Sequence, residues 1–207
     1  DIASLEKNLA RATKVAEEQG GGILVITEGV FGMRGMQGKI KEICELKSKF
    51  NFRLLVDDAH GFGTLGKTGA GAGEEQGCQD QIDVYFSTFA KSMAGFGAFI
   101  AGDADIIRIL KYNLRSQVFA KSLTMPMVIG GLKRLELLRS RPEIKAKLWE
   151  NVNKLQNGLI ERGFNIGGTD TCVTPVMMQG STVEATLLVK DLRENYGIFT
   201  SVVIYPV

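Results

Sequence analysis

Lys91 stands in the segment FSTFAKSMAGFGAF, residues 86–99, between an apolar run and a glycine-rich step. Two hydroxyl residues, Ser87 and Thr88, precede it, and small residues that leave space around the amine follow it. A lysine near a strand end is most often a solvated charge, whereas a partly desolvated lysine amine with a lowered pKa attacks carbonyl groups. The segment therefore raises the choice between a surface ammonium and an amine held for chemistry.

Other polar residues follow apolar runs in the same way. Glu28 comes after ILVIT, and Asp57 and His60 come after FRLLV. Open α/β sheets bind ligands outside the carboxyl ends of their strands. Since Lys91 also follows an apolar run, IDVYF, we expect these four side chains to share one site.

Two of these residues also have simpler interpretations. Side chains alternate along a strand, so Asp57 is expected to face a partly buried site and Asp58 the opposite side. Alternatively, one aspartate of the pair caps a turn, which aspartates often do. His60 is the single histidine of the chain, and a lone histidine is more often structural than catalytic, although its place three residues after Asp57 favours function.

An aspartate, a histidine, a hydroxyl and a lysine together suit pyridoxal phosphate. The lysine amine can form a Schiff base with an aldehyde, and an aspartate can keep a pyridine nitrogen protonated. Hydroxyls and backbone amides can bind a phosphate, and a histidine can donate a hydrogen bond to a ring oxygen. The residue types therefore predict a site for this cofactor.

The composition excludes several other classes of function. A net charge of +2 over 207 residues provides no basic stripe for nucleic acid. No apolar stretch reaches the roughly 18 residues of a membrane span. Three cysteines, widely spaced and odd in number, favour reduced thiols over a disulfide framework or a zinc site. We therefore predict a cytoplasmic protein without a transmembrane segment.

The apolar runs and helical periodicities alternate, which predicts an α/β fold with a mostly parallel sheet. The runs at 23–27 and 52–58 are typical of strands buried on both faces. The connection between the strands at 82–88 and 97–102 is short for a helical crossover and therefore predicts an antiparallel pair. The remaining predicted elements are helices at 3–18, 39–50, 103–115, 125–139, 142–162 and 182–195, and strands at 174–180 and 197–205.

The chain is expected to be a fragment with two parts. It begins without methionine inside a helix pattern and stops at the apolar run SVVIYPV. Residues 1–140 are predicted to form part of a large cofactor-binding domain, and residues 141–207 part of a small C-terminal α+β domain.

Three motifs carry a resemblance to a known family: TEGVFGM at 27–33, VDDAHGFGTLGKTGAG at 56–71 and STFAKSMAGFGAF at 87–99. Together, in this order, they resemble the α-oxoamine synthases among the fold-type-I pyridoxal-phosphate enzymes, and most resemble the bacterial serine palmitoyltransferases. The resemblance implies a three-layer, aminotransferase-like large domain, incomplete here, with part of the small domain.

The resemblance also implies roles for individual residues. Lys91 matches the lysine that forms the Schiff base, and Asp57 matches the partner of the pyridine nitrogen. His60 matches the residue that bonds the ring oxygen and orients the substrate, and these three form the predicted catalytic set. Thr88 matches a threonine near the cofactor phosphate. Ser122 lies in a segment that reaches a neighbouring subunit's phosphate in the family, which implies a homodimer.

Two further cofactor contacts, Glu28 and Gly32, are predicted within the first motif, and the chain departs from the family at several points. Gly32 stands where many members have serine, and Ala120 where many have a hydroxyl. The histidine that the family stacks on the cofactor ring is absent.

The resemblance implies a decarboxylating condensation of L-serine with palmitoyl-CoA to 3-ketodihydrosphingosine, a step of sphingolipid biosynthesis. One alternative is another synthase of the family, of the glycine C-acetyltransferase or 8-amino-7-oxononanoate synthase type. The other is a fragment that keeps the fold and binds a partner chain without catalysis.

Overall fold

The computed structural model describes residues 1–204, and a mixed four-stranded sheet is its centre. The strand order is β1-β4-β5-β6, in which β1, β4 and β5 are parallel and β5 and β6 are antiparallel. The predicted antiparallel step is therefore confirmed. The strands are β1 (Leu24–Glu28), β2 (Val30–Phe31), β3 (Met36–Gln37), β4 (Arg53–Asp57), β5 (Val84–Thr88) and β6 (Ala98–Gly102).

The predicted helices are all present, with small shifts of their ends. Together with two short helices that were not predicted, α3 and α5, the α-helices are α1 (Ile2–Gln19), α2 (Ile40–Glu45), α3 (Ala72–Glu75), α4 (Ala104–Asn113), α5 (Arg115–Phe119), α6 (Met125–Ser140), α7 (Pro142–Glu161) and α8 (Thr182–Tyr196). The helix predicted at 39–50 is shorter than expected and continues as a 3₁₀ turn, Leu46–Ser48. The short helix α3 was not predicted, and it lies within the glycine-rich stretch that follows β4.

One face of the sheet carries the hydrophobic core. Leu54 and Val56 of β4 are completely buried on this face, where they join residues of α1 and α2 such as Leu9 and Ile40. Burial of such side chains contributes about 1.5–3 kcal/mol each. The core therefore fixes which face of β4 turns inward and leaves Asp57 on the other face.

The prediction that β1 is buried on both faces is wrong. Leu24 and Ile26 are 53% and 66% exposed, because β1 is the edge strand of the described sheet and its second face is uncovered. An apolar run alone does not tell which face is covered.

The two predicted C-terminal strands are also not found in the part of the chain that the structure describes. Residues 174–180 are irregular, and so are residues 197–204; residue 205 of the second prediction lies outside the described residues. A strand requires a neighbour for its backbone hydrogen bonds. Residue 174 instead accepts a side-chain bond from Gln156 of α7, and the amide of Met177 bonds the carbonyl of Asn165.

The glycine-rich stretch between β4 and β5 is held by hydrogen bonds to side chains rather than by strand pairing. Glu74 of α3 accepts the amides of Thr68 and Ala70 at 3.0–3.1 Å. From α7, Trp149 donates its indole N–H to the carbonyl of Thr64 at 2.9 Å, and Lys145 donates to that of Gly66. These contacts join residues on either side of position 140. The domain boundary predicted there stays a prediction.

Among residues 1–204, none of the helices combines the length and the apolar character that a membrane crossing requires.

Candidate active site

The strand register brings three of the predicted residues to one end and one face of the sheet. Glu28 of β1 is paired with Asp57 of β4, and Asp57 is paired with Phe86 of β5. Thr88 lies two residues beyond Phe86 and therefore points to the same face. The predicted position of these residues at the carboxyl end of parallel strands is what the structure shows.

Asp57 is half-buried and held by its own turn. Its Oδ1 accepts the amide of Ala59 at 3.1 Å, while Oδ2 has no hydrogen-bond partner within residues 1–204. The carboxylate is thus oriented and keeps one oxygen for an external group. A pyridinium N–H is a donor of the kind that this oxygen can accept.

Asp58 points to the opposite face and is completely buried. Its Oδ2 accepts the amide of Ala72 at 2.8 Å and the hydroxyl of Tyr85 at 2.9 Å. Burial raises the pKa of this carboxyl to about 6, although both hydrogen bonds act in the other direction. Its backbone carbonyl also closes a turn by accepting the amides of Gly61 and Phe62. The two aspartates therefore face opposite sides, as predicted, and the aspartate whose side chain caps a turn is the site-facing Asp57.

Three glycines from three segments surround the Asp58 carboxylate. A β-carbon added at Gly29, Gly61 or Gly71 would overlap one of its oxygens. Gly29 follows Glu28 and Gly61 follows His60, so the buried carboxylate supports two segments that carry site residues. Sequence reasoning missed this role; the aspartate pair followed by a glycine-rich stretch was its signal.

The imidazole of His60 interacts with the charges of Lys91, Glu28 and Asp57. Burial lowers the pKa of its imidazole, and the Lys91 cation lowers it further, whereas Glu28 and Asp57 raise it. The imidazole is therefore neutral at pH 7 and has one N–H donor and one acceptor nitrogen. It packs on the backbone of Gly32, where an added β-carbon would overlap Nε2.

Lys91 lies in a turn after β5 and is exposed to solvent. The backbone carbonyl of Lys91 accepts the amide of Ala94, which has a positive φ of 43°. Thr88 fixes the start of this turn, since its hydroxyl donates to the carbonyl of Gly97 at 3.0 Å and accepts the amide of Ala90 at 3.1 Å. The amine is thus on the solvent-exposed side of the site, and its positive charge lowers the pKa of His60.

Among the predicted site residues, Ser122 is not placed beside Asp57, His60 and Lys91. It is exposed in the segment between α5 and α6, next to Lys121, which has a positive φ of 68°. Its neighbour Leu123 contacts Gly97 after the lysine turn, but no hydrogen bond within residues 1–204 joins Ser122 to Asp57, and its phosphate role stays a prediction.

An apolar pocket of about 390 Å³ lies beneath the lysine turn. Phe89, Phe99 and Phe62 contribute to its wall, and Phe99 is paired with Ser87, on the Asp58 face of the sheet. The pocket is therefore on the face opposite Asp57. A cleft of about 550 Å³ between α1 and β1 is further from the lysine turn.

The residues present fit pyridoxal phosphate. An oriented carboxylate with a free oxygen, a neutral imidazole and a lysine amine occur at the carboxyl end of the parallel strands. Asp57, His60 and Lys91 are the residues that would contact the ring.

This fold and this site define a class of protein. The sequence profile of the aminotransferase class I and II family matches residues 6–206. The chain belongs to this family, and the predicted fold-type-I architecture is confirmed.

Individual relatives of the chain are acyltransferases. The chain is 69% identical over 207 residues to a cysteate-C-fatty acyltransferase of Capnocytophaga ochracea, covering 100% of this chain and 49% of the relative. It is 37% identical over 183 residues to a serine palmitoyltransferase of Sphingobacterium spiritivorum, covering 88% of this chain and 45% of the relative. The resemblance to the α-oxoamine synthases is therefore confirmed.

A solved structure supports the cofactor prediction. A serine palmitoyltransferase variant from S. paucimobilis with a bound PLP–myriocin aldimine has a TM-score of 0.88 and 29% identity, over 98% of this chain and 51% of that one. Pyridoxal phosphate is thereby confirmed as the cofactor of the family to which the chain belongs. The chain spans about half the length of the curated relatives that it matches.

Proposed function

We propose that the chain forms part of a pyridoxal-phosphate-dependent acyltransferase that joins an amino acid to a fatty acyl thioester with loss of carbon dioxide. The observation that carries the proposal is the meeting of Asp57, His60 and Lys91 at one end of the parallel strands. The resemblance and the relatives above support the reaction class.

Each of the three residues has a distinct task. When bound, pyridoxal phosphate supplies an electron sink for negative charge at the amino acid's α-carbon. Asp57 keeps the pyridine nitrogen protonated through its free oxygen. His60 donates an imidazole N–H to the ring oxygen. Lys91 holds the cofactor and then acts as the base at the α-proton.

Two amino acids are candidates for the first substrate, and they differ in one group on the β-carbon. Cysteate, with a sulfonate, is favoured by the relative that is 69% identical. L-Serine, with a hydroxyl, was predicted from the sequence and is supported by the relative that is 37% identical. The second candidate reaction is therefore the condensation of L-serine with palmitoyl-CoA to 3-ketodihydrosphingosine.

The amino acid can be identified by its effect on the cofactor spectrum. The full-length protein, loaded with pyridoxal phosphate, is titrated with cysteate, L-serine, glycine and L-alanine, and free thiol is then measured after addition of palmitoyl-CoA. We expect cysteate to change the spectrum at the lowest concentration and to sustain thiol release. A response to L-serine alone would establish the second candidate, and a response to glycine or L-alanine alone would favour another synthase of the family.

The absence of any spectral change and of thiol release with all four amino acids would contradict the proposal. Lys91→Ala is the matched control, because it removes the amine from an exposed position and leaves the core unchanged. The homodimer and the cytoplasmic location belong to the same proposal. Light scattering of the loaded protein tests the first, and cell fractionation tests the second.

A further inference from the structure

The hairpin formed by β2 and β3 carries Gly32 against His60 but has few bonds of its own. Its ladder contains two residue pairs, Val30 with Gln37 and Phe31 with Met36, and it is separate from the main sheet. A two-stranded hairpin of this size is marginal in water by itself. Something else must therefore hold it in place beside the site.

Val30 is anchored in the core, and Gln76 bonds Gln37 and the carbonyl of Gly38. The carbonyl of Gly35, at the tip of this hairpin, is a further point of attachment. It accepts hydrogen bonds from the hydroxyl of Thr171 at 2.9 Å and the amide of Asp170 at 3.3 Å. The hydroxyl of Thr169 also lies 2.9 Å from it, but its single hydrogen is shared with the carbonyl of Val173 at 2.6 Å. The donors belong to the segment TDTCV, residues 169–173, which is called the clasp below. Polar groups of three consecutive residues therefore converge on one carbonyl.

The clasp has a second attachment on the returning strand. Asp170 accepts the backbone amide of Gln37 at 2.9 Å through Oδ1 and its side-chain amide at 3.3 Å through Oδ2. An ionised carboxylate forms stronger hydrogen bonds than a neutral acceptor does. The end of the hairpin turn and the returning strand are thus bonded by the same three consecutive residues.

The contact is closely packed and anchored from behind. Gly35 has a positive φ of 66°, and a β-carbon there would overlap Thr169 and the carbonyl of Val173. Thr171 is 1% exposed, and its carbonyl accepts the side-chain amide of Gln156 of α7 at 2.9 Å. The clasp therefore links the hairpin to α7 through hydrogen bonds.

We propose that Thr169, Asp170 and Thr171 are positioning residues of the candidate site, which hold the β2–β3 hairpin so that Gly32 keeps the His60 imidazole in place. None of the three touches His60; they act through the hairpin, from 132 or more residues away along the chain. The inference depends on the proposed function, because it assigns the clasp to that site.

The test removes hydroxyls without changing shape. In Thr171→Val the donor to Gly35 is lost and the volume is kept, whereas Thr171→Ser restores the hydroxyl. Thr186→Val is the matched control, since Thr186 is exposed on α8 and its hydroxyl bonds only the helix carbonyl of Thr182. Asp170→Ala, at an exposed position, is the second variant if the buried change prevents folding.

Two measurements on the full-length protein report separately on the stability of the hairpin and on the titration of the imidazole. We expect amide hydrogen exchange over residues 30–37 to accelerate about tenfold in Thr171→Val and Asp170→Ala, the effect of losing one or two net hydrogen bonds. The NMR titration of His60, assigned by loss of its signal in His60→Gln, is expected to shift toward the ordinary histidine pKa. Thr171→Ser and Thr186→Val are expected to stay within about twofold of the wild type.

The outcomes distinguish this inference from the proposed function. Unchanged exchange over residues 30–37, or faster exchange with an unchanged titration of His60 and an unchanged dissociation constant for pyridoxal phosphate, would overturn the clasp as a positioning element. If the wild-type protein binds no pyridoxal phosphate, the proposed function fails while the exchange measurement still decides whether the clasp holds the hairpin.

Discussion

Gly32 and His60 are in such close contact that position 32 has no room for a β-carbon. An added Cβ would overlap Nε2 of the imidazole and would lie 2.8 Å from Cε1. The glycine therefore determines where the imidazole can lie.

Gly32→Ala is expected to displace the imidazole and weaken cofactor binding. The methyl group and the ring cannot occupy the same volume, so His60 must rotate away from the ring oxygen that it is proposed to bond. We expect the dissociation constant for pyridoxal phosphate to rise about tenfold, measured by absorbance titration. Gly131→Ala is the control, because nothing lies within 4 Å of its added β-carbon; equal affinities of the two variants would contradict the role of Gly32.

Lys91→Ala is expected to abolish covalent attachment of the cofactor. The amine lies on the open side of the site, and its charge lowers the pKa of His60. Intact mass after borohydride reduction should show a cofactor-sized increment in the wild type, mapped to the Lys91 peptide, and none in the variant. Lys14→Ala, an exposed change on α1, should keep the increment. An adduct that persists in Lys91→Ala would show that another amine holds the cofactor.

Asp57→Asn is expected to reduce turnover roughly a hundredfold, the scale found when an oriented electrostatic partner is lost. The amide oxygen can still accept the amide of Ala59, so the turn is preserved. The lost charge leaves the pyridine nitrogen unprotonated and makes the ring a weaker electron sink. Steady-state thiol release measures the effect, with the exposed Asp80→Asn as control; near-normal turnover would argue against the assignment of Asp57.

Asp58 is expected to make folding stability depend on pH. Because burial raises the pKa of its carboxyl to about 6, the folded state binds more protons than the unfolded state between about pH 4 and pH 6. The stability of the wild type relative to Asp58→Asn should therefore fall as the pH rises through this window, by up to about 3 kcal/mol. Above pH 6 the difference should be constant.

Urea unfolding of the wild type and Asp58→Asn at intervals from pH 4 to pH 7 measures this difference, since contributions common to both proteins cancel. A difference that is flat with pH would show that Asp58 titrates at its ordinary pKa despite its burial.

The local pattern of the sequence was sufficient for much of the site. Alternation along β4 places Asp57 and Asp58 on opposite faces, because the apolar residues 54 and 56 must turn toward the core. The end of each apolar run locates Glu28, Asp57 and Thr88 at the carboxyl edge, since parallel strands place these ends side by side. Both results follow from contacts between residues that are close in sequence or from a general rule of parallel sheets.

Only the tertiary structure decided the features that depend on distant partners. The exposure of Leu24 and Ile26 depends on what covers the sheet, and the irregular course of residues 174–180 depends on whether a neighbouring strand is present. Likewise, nothing in the TDT triplet indicates that it bonds Gly35, from which Thr171 is separated by 136 residues. The sequence by itself determined which side chains meet at the sheet edge, because period and strand direction are local. How the hairpin is held against His60 was decided by long-range packing, which local patterns do not encode.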